Sequence, residues 1–404
     1  MVGLARSIRR AISRPSLNGF GIRSPKRLHA VSWFRRSLFA LILATTGCAS
    51  SSDQHFHNGE LRLSHVAIVV DDIEQTSRFF TDVVGWKRHP IEFSISGDEP
   101  TTGAMKLAFI DANGLWLELV EPVAPGPAKD LLDQKGSGTI IELAFATNDF
   151  DEMIQRMESD GIQMLAMDGS PLGEKGGRID QTIRVNDAIE RLSVRIAYWP
   201  TPLTSGTSVE VIDLSPDRDP DVFSVRDATR DEAPYAEEIP RMDRIAIMVE
   251  DVEASASFYT DVLGLNRLPR TFVMGGDGNE QSGGMKVAFI DGGAVWLVLV
   301  QPIGQGPLKD YLEANGNGYI AELIAEVDDL SGFFDKMKAD GIHMVGTDGK
   351  PLDNEIKAHV LVPFGDRIAY FPSDVSRGVT LELSERGPPE TSLIHARDRD
   401  WIDE

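Results

Sequence analysis

One arrangement of apolar and polar positions runs through most of the chain. Residues 61–70, LRLSHVAIVV, form an apolar run of strand length and read as a buried strand. Asp71-Asp72 follow as a helix cap. Ile73, Phe79, Phe80 and Val83 supply the helix's apolar side, and Gly85 closes it. A looser region holds Gly97 and Pro100. Residues 105–111 and 115–120 then read as two strands joined across Ala112-Asn113-Gly114, and the stretch from Pro122 to Pro127 breaks the pattern. The order restarts with a strand at 139–146 and a helix capped by Asp149. That helix carries Phe150, Met153, Ile154 and Met157 on one side and ends at Gly161. Strands are expected at 162–166, 195–199 and 208–212.

The whole unit then recurs. Met105-Lys-Leu-Ala-Phe-Ile-Asp111 returns as Met285-Lys-Val-Ala-Phe-Ile-Asp291, and Gly161-Ile-Gln-Met164 as Gly341-Ile-His-Met344. Arg195-Ile-Ala-Tyr-Trp-Pro200 returns as Arg367-Ile-Ala-Tyr-Phe-Pro372, with the offset reduced from 180 to 172. A deletion in the second copy, opposite residues 170–195 of the first, explains the difference. The expected organisation is a leader (1–47), a tether (48–60), repeat 1 (61–214), a linker rich in Asp, Glu, Arg and Pro (215–240), repeat 2 (241–386) and a polar tail (387–404). Leu115-Trp116-Leu117-Glu118-Leu119-Val120 becomes Val295-Trp296-Leu297-Val298-Leu299-Val300. An acid inside an apolar strand is costly unless a cation meets it. Repeat 1 is therefore expected to keep a cationic partner for Glu118, and repeat 2 to have lost the need for one.

Charge changes the picture at the N-terminus. The 404 residues carry a formal charge of −23, with 40 basic and 63 acidic side chains. Nine of the basic residues and none of the acids lie in residues 1–47. So acidic a body disfavours nucleic acid and anionic membrane surfaces as partners. Arg35-Arg36 precede an apolar run at 38–44, which leads to Cys48, the single cysteine. The segment resembles a bacterial lipoprotein signal, which implies lipidation of Cys48, membrane contact only through that anchor, and a place in the cell envelope. Ala49 after the cysteine points to the outer membrane. Thr45 stands where such signals usually carry leucine. The Arg-rich, acid-free composition leaves a mitochondrial transit peptide as the alternative, and an unprocessed basic tail as a third reading.

Four strand residues of repeat 1 carry candidate chemistry: His65, Glu118, Glu142 and Glu210. Alternation puts His65 with Ala67, opposite Val66, Ile68 and Val70; Glu210 with Ser208, opposite Val209 and Val211; and Glu142 with Ala144, opposite Ile141, Leu143 and Phe145. Brought together, three carboxylates repel unless a cation joins them. One imidazole with three carboxylates is an oxygen-rich donor set for a divalent metal. Glu118 has a bland alternative, pairing with Arg62 or Arg195. Trp116 and Trp296 share the face of position 118 or 298 and line either a cavity or the core. His89, His343, Tyr198 and Tyr370 have no spacing that singles them out.

The Ser64-His65-Val66-Ala67-Ile68 start, the Trp-Leu-Glu-Leu-Val-Glu-Pro strand and Val209-Glu210-Val211 resemble the βαβββ modules of the vicinal oxygen chelate superfamily. That superfamily groups glyoxalases, bleomycin-resistance proteins and extradiol dioxygenases. The resemblance implies an α+β fold, with four βαβββ modules paired into two glyoxalase-like domains. In the family, metal ligands come from the first and last strands of each module, here His65, Glu118, Glu142 and Glu210. Glyoxalase I and related epimerases commonly have histidine where this chain has Glu142, a departure from their pattern, and extradiol dioxygenases need two histidines. The resemblance therefore implies a lyase, isomerase or epimerase using Mn, Co, Ni, Zn or Mg on a small oxygenated substrate. The metal would polarise vicinal oxygens, and Glu210 or Glu142 would serve as base. The alternative is a metal-free small-molecule binding or sequestration protein. Repeat 2 has Arg244, Val298, Glu322 and Glu382 at the four places. Arg244 cannot bind a metal, but between Glu322 and Glu382 it would bridge the two carboxylates in a metal's place.

Overall fold

The computed structural model describes residues 61–89, 93–95, 103–167, 169–173, 178–185, 188–213, 238–274, 283–352 and 367–385. Cys48 with the leader and tether, Gly97 and Pro100, most of the expected linker, and the tail lie outside the described residues. Among the described residues, no helix is long and apolar enough to cross a membrane.

The fold is α+β. Repeat 1 opens with β1 (Arg62–Val69) and α1 (Ile73–Arg78), which continues as a wider π turn through Val84. Asp72 accepts a hydrogen bond from the Gln75 amide at 2.9 Å, and Gly85 ends the helix at φ +92°. There follow β2 (Lys87–Arg88), β3 (Phe93–Ile95), β4 (Met105–Asp111) and β5 (Trp116–Pro122). The second module comprises β6 (Thr139–Thr147), α3 (Phe150–Ser159), β7 (Arg178–Val185), β8 (Ala188–Tyr198) and β9 (Val209–Asp213). Between the modules lies α2 (Pro127–Lys135), where the sequence pattern suggested only a break.

The strands run β4-β3-β7-β8-β9-β6-β1-β5, and β4 also pairs with β5, so repeat 1 closes into an eight-stranded barrel with β2 attached to β4. β1 pairs antiparallel with β6 and parallel with β5. The first strands of the two modules thus meet at the barrel's centre. Residues 162–166 are not a strand as expected. Leu165 alone bridges to Pro171 and Tyr198, and the ladder beside β9 is supplied by β8, which begins well before residue 195.

Repeat 2 follows the same order: β10 (Arg241–Met248), α4 (Val252–Ser257), β11 (Phe272–Met274), β12 (Met285–Asp291), β13 (Trp296–Pro302), α5 (Pro307–Asn315), β14 (Tyr319–Glu326), α6 (Leu330–Ala339), β15 (Arg367–Tyr370) and β16 (Leu381–Glu385). Its described strands form a sheet in the order β11-β12-β13-β10-β14-β16-β15.

The two repeats pack through contacts that come in reciprocal pairs. The Leu63 amide donates to the Gly292 carbonyl at 3.0 Å, and the Met242 amide donates to Ala112 at the same distance. Phe79 meets Phe371 edge-on at 5.1 Å, and Phe258 meets Trp199 at 6.0 Å. A Cβ at Gly138 would fall 2.2 Å from the Val379 nitrogen, and one at Gly318 would fall 2.2 Å from the Thr207 nitrogen. Each pair exchanges equivalent positions of the repeats, as a two-fold axis would, and one apolar core runs through both.

Candidate metal centre

The barrel places the four candidate donors on adjacent strands. Ala67 is flanked by Glu118 on β5 and Glu142 on β6. Ala144 is flanked by His65 on β1 and Glu210 on β9. Neighbouring strands lie about 4.8 Å apart, so the donors surround two alanines whose methyl groups leave space between them. On the opposite face Val66, Ile68, Leu143, Phe145, Val209 and Val211 enter the core beneath the helices. Strict alternation breaks at two slips of the β1–β6 register, the first between Leu63 and His65. The register slips again between Ala67 and Ile68, so Ile140, not Ile141, takes the core position.

All four donors are buried, with at most 3 % of each exposed. His65 Nδ1 lies 3.4 Å from Ser64 Oγ, and its Nε2 lies 3.7 Å from Glu118 Oε2. Ser208 donates to Glu142 Oε2 at 3.3 Å, and the Tyr198 hydroxyl donates to Glu210 Oε2. That leaves His65 Nε2, Glu142 Oε1 and Glu210 Oε1 buried without a hydrogen-bond partner. Burial pushes the imidazole down to about 3, so His65 is neutral and has a lone pair to give. Burial also raises Glu118, Glu142 and Glu210 well above the usual carboxylate range, and the charges of Glu210 and Glu118 raise Glu142 further. Arg195, one of the two alternative partners for Glu118, is engaged by Asp151 and Asp213.

These residues fit a divalent cation in chemistry. Three buried atoms lack partners, the histidine is neutral, and three carboxyls need a positive charge to ionise. Among the described residues, no three His, Cys, Asp or Glu side chains converge tightly enough to enclose an ion as they stand. The strands place the donor backbones side by side.

Tyr198 belongs to this site, although its spacing gave no reason to single it out. It stands directly opposite Glu210 across the β8–β9 ladder. The available signal was its return as Tyr370, which donates in the same way to Glu382. Trp116 borders the site, with its Nε1 buried and unpartnered and His89 edge-on at 5.8 Å. His343 shows nothing that sets it apart as functional.

Repeat 2 fills the corresponding space. Ile324 stands where Ala144 stands in repeat 1, beside Arg244. Val298 and Trp296 join Met285, Val287 and Phe289 in a separate apolar cluster. Arg244 is buried, with its guanidinium 3.0 Å from Asp243 and donating to Ser384 at 2.7 Å. Burial and the charge of Glu382 push Glu322 up to about 8, and Arg244 opposes the rise.

The family model described as the Glyoxalase/Bleomycin resistance protein/Dioxygenase superfamily matches residues 62–168 and 241–370. An ethylmalonyl-CoA/methylmalonyl-CoA epimerase of Cereibacter sphaeroides is 33 % identical over 122 residues, which is 30 % of this chain and 83 % of the relative. The mitochondrial methylmalonyl-CoA epimerase of Mus musculus is 27 % identical over 142 residues, 32 % of this chain and 73 % of the relative. Among solved structures, a mutant of 4-hydroxymandelate synthase from Streptomyces coelicolor superposes with a TM-score of 0.53 at 19 % identity. The match covers 81 % of this chain and 93 % of that one, and it supports the fold alone.

Proposed function

This chain belongs to the glyoxalase/bleomycin resistance/dioxygenase superfamily, and from that premise we propose that repeat 1 is a divalent-metal-dependent epimerase, or a closely related lyase or isomerase. It would move a proton at a carbon next to a carbonyl. The observation that carries this reading is the trio of buried, unpartnered atoms on His65, Glu142 and Glu210. His65, Glu118, Glu142 and Glu210 would hold the metal. A divalent cation there supplies Lewis acidity for a substrate oxygen.

The protein's own part is proton handling and exclusion of water. Glu142 and Glu210 each have one oxygen tethered, by Ser208 and Tyr198, and one bare. A tethered carboxylate with a raised pKa is a well-positioned base, because it regains a proton readily. The epimerase relatives favour this reaction among those open to the family.

Proton exchange tests it. Metal-loaded protein in deuterium oxide should wash deuterium into C2 of a small 2-substituted carboxylic acid or its thioester, and Glu142→Gln or Glu210→Gln should abolish this. A protein that holds its metal but exchanges no such proton would overturn the epimerase reading. The second reading is a metal-free small-molecule binding protein, and the metal count on purified protein separates the two.

Cys48 is proposed as a lipidated residue that holds the chain at the bacterial envelope, on the basic, apolar, Gly-Cys order of the leader. Native protein should partition into detergent and carry lipid at an N-terminal Cys48. A water-soluble protein that retains Met1 would contradict this.

A further inference from the structure

A pocket of about 480 Å³ opens where the two repeats meet. That volume lies in the usual range for small-molecule sites. Leu165, Met167, Pro171 and Trp199 of repeat 1 give it an apolar wall. Tyr198 and Ser208 also line it, and these residues hydrogen-bond Glu210 and Glu142. Period-two alternation puts Ser208 on the same face of its strand as Glu210. The pocket therefore adjoins the buried carboxylates. Its other wall comes from repeat 2, through Asn317 and Tyr319.

Charge narrows the ligand. The body of this chain is strongly acidic, yet Lys135 is the one charged side chain among the described residues that line the pocket. Its ammonium sits 5.8 Å from the centre of the Tyr319 ring, and the lysine itself is exposed. A cation at the mouth, an apolar wall behind it and hydroxyl groups at the inner end match a molecule of the same order.

We infer that this pocket admits the substrate of repeat 1 as a small organic acid with an apolar body. Its carboxylate is held at Lys135, its oxygenated end lies toward Ser208 and Tyr198, and repeat 2 forms one wall. This rests on repeat 1 being the catalytic repeat. It also gives the second repeat a task, because a domain without a donor set of its own still shapes the site of its neighbour.

Calorimetric titration of the full chain with 2-naphthoate and its uncharged amide, 2-naphthamide, tests the inference. The wild type should bind naphthoate about threefold more tightly than the amide, as an ion pair with an exposed lysine provides. Lys135→Ala should remove the preference, and Lys135→Arg should keep it. Tyr319→Ala should weaken both probes by roughly fivefold through lost apolar contact. Met167→Trp, on the opposite wall, should block both and covers the case in which the tyrosine variant folds poorly. The titrations use chelator-treated protein, so they do not depend on a bound metal, and the metal reading and the pocket reading fail separately. Equal binding of the two probes by the wild type, no binding of either, or a preference that survives Lys135→Ala would overturn the proposal.

Discussion

His65 Nε2 lies 3.7 Å from Glu118 Oε2, and both groups are buried in the wall of the repeat 1 barrel. Burial drives the two in opposite directions, the imidazole toward its neutral base and the carboxyl toward its neutral acid. Burial thus favours the uncharged form of each, and a divalent cation would compete with the carboxyl protons for the same atoms.

Metal binding should therefore strengthen with pH. Glu118, Glu142 and Glu210 have folded pKa values raised above the ordinary 4.5. Their contribution to stability is complete below pH 4.5 and is lost as pH rises through the raised values. His65 acts with the opposite sign. It is lowered from 6.5 to about 3, so its contribution is complete above pH 6.5 and is lost between there and 3. Above pH 6.5 the carboxyls alone set the slope, with Glu322 of repeat 2 adding to it up to about 8. Metal-free protein should melt at lower temperature as pH rises above 6.5, and added Mn or Zn should reverse the part due to repeat 1. Calorimetric melting across that range checks this. A metal-induced shift that shrinks with rising pH would contradict it.

The two alanines between the donors should be as important as the donors. Ala144→Ile copies the residue that repeat 2 carries at the equivalent place, Ile324. An overpacked position typically costs ~1–3 kcal/mol, which a protein of this core size should survive. The variant should stay folded by circular dichroism yet bind little metal. Full metal binding by Ala144→Ile would mean that the space between the strands is not where the ion sits.

Arg244 should hold repeat 2 together electrostatically. It lies against Asp243 and Ser384, and its charge bears on Glu322. Arg244→Met leaves buried acids without their cation, and loss of one partner of a buried pair costs ~3–5 kcal/mol. Adding Glu322→Gln and Glu382→Gln should restore part of the loss, with Asp243 accounting for the remainder. Chemical denaturation reads both effects. A single variant as stable as the wild type would leave the arginine without a structural role.

Much of this was legible from the order of residues because strand alternation is local. His65 and Glu210 stand on the faces that period-two counting gives them, and Asp72 and Asp149 cap the helices they precede. Ile141 was misplaced because a bulge depends on the partner strand, β1, which sequence counting does not include. The helix after Gly126 hides behind Pro127, because proline marks both a break in a pattern and a first helical position. Tyr198 was passed over because its role arises from its position opposite Glu210 across a ladder. The reciprocal contacts between Leu63, Gly292, Met242 and Ala112 join residues far apart in the chain, and no window of sequence contains them.

The most direct test is a metal count on the purified full chain. After equilibration with Mn, Co, Ni or Zn and removal of loose ions, elemental analysis should find close to one divalent metal per wild-type chain and a sharp drop in His65→Ala. The same low content in wild type and variant, with both folded, would contradict a metal centre in repeat 1.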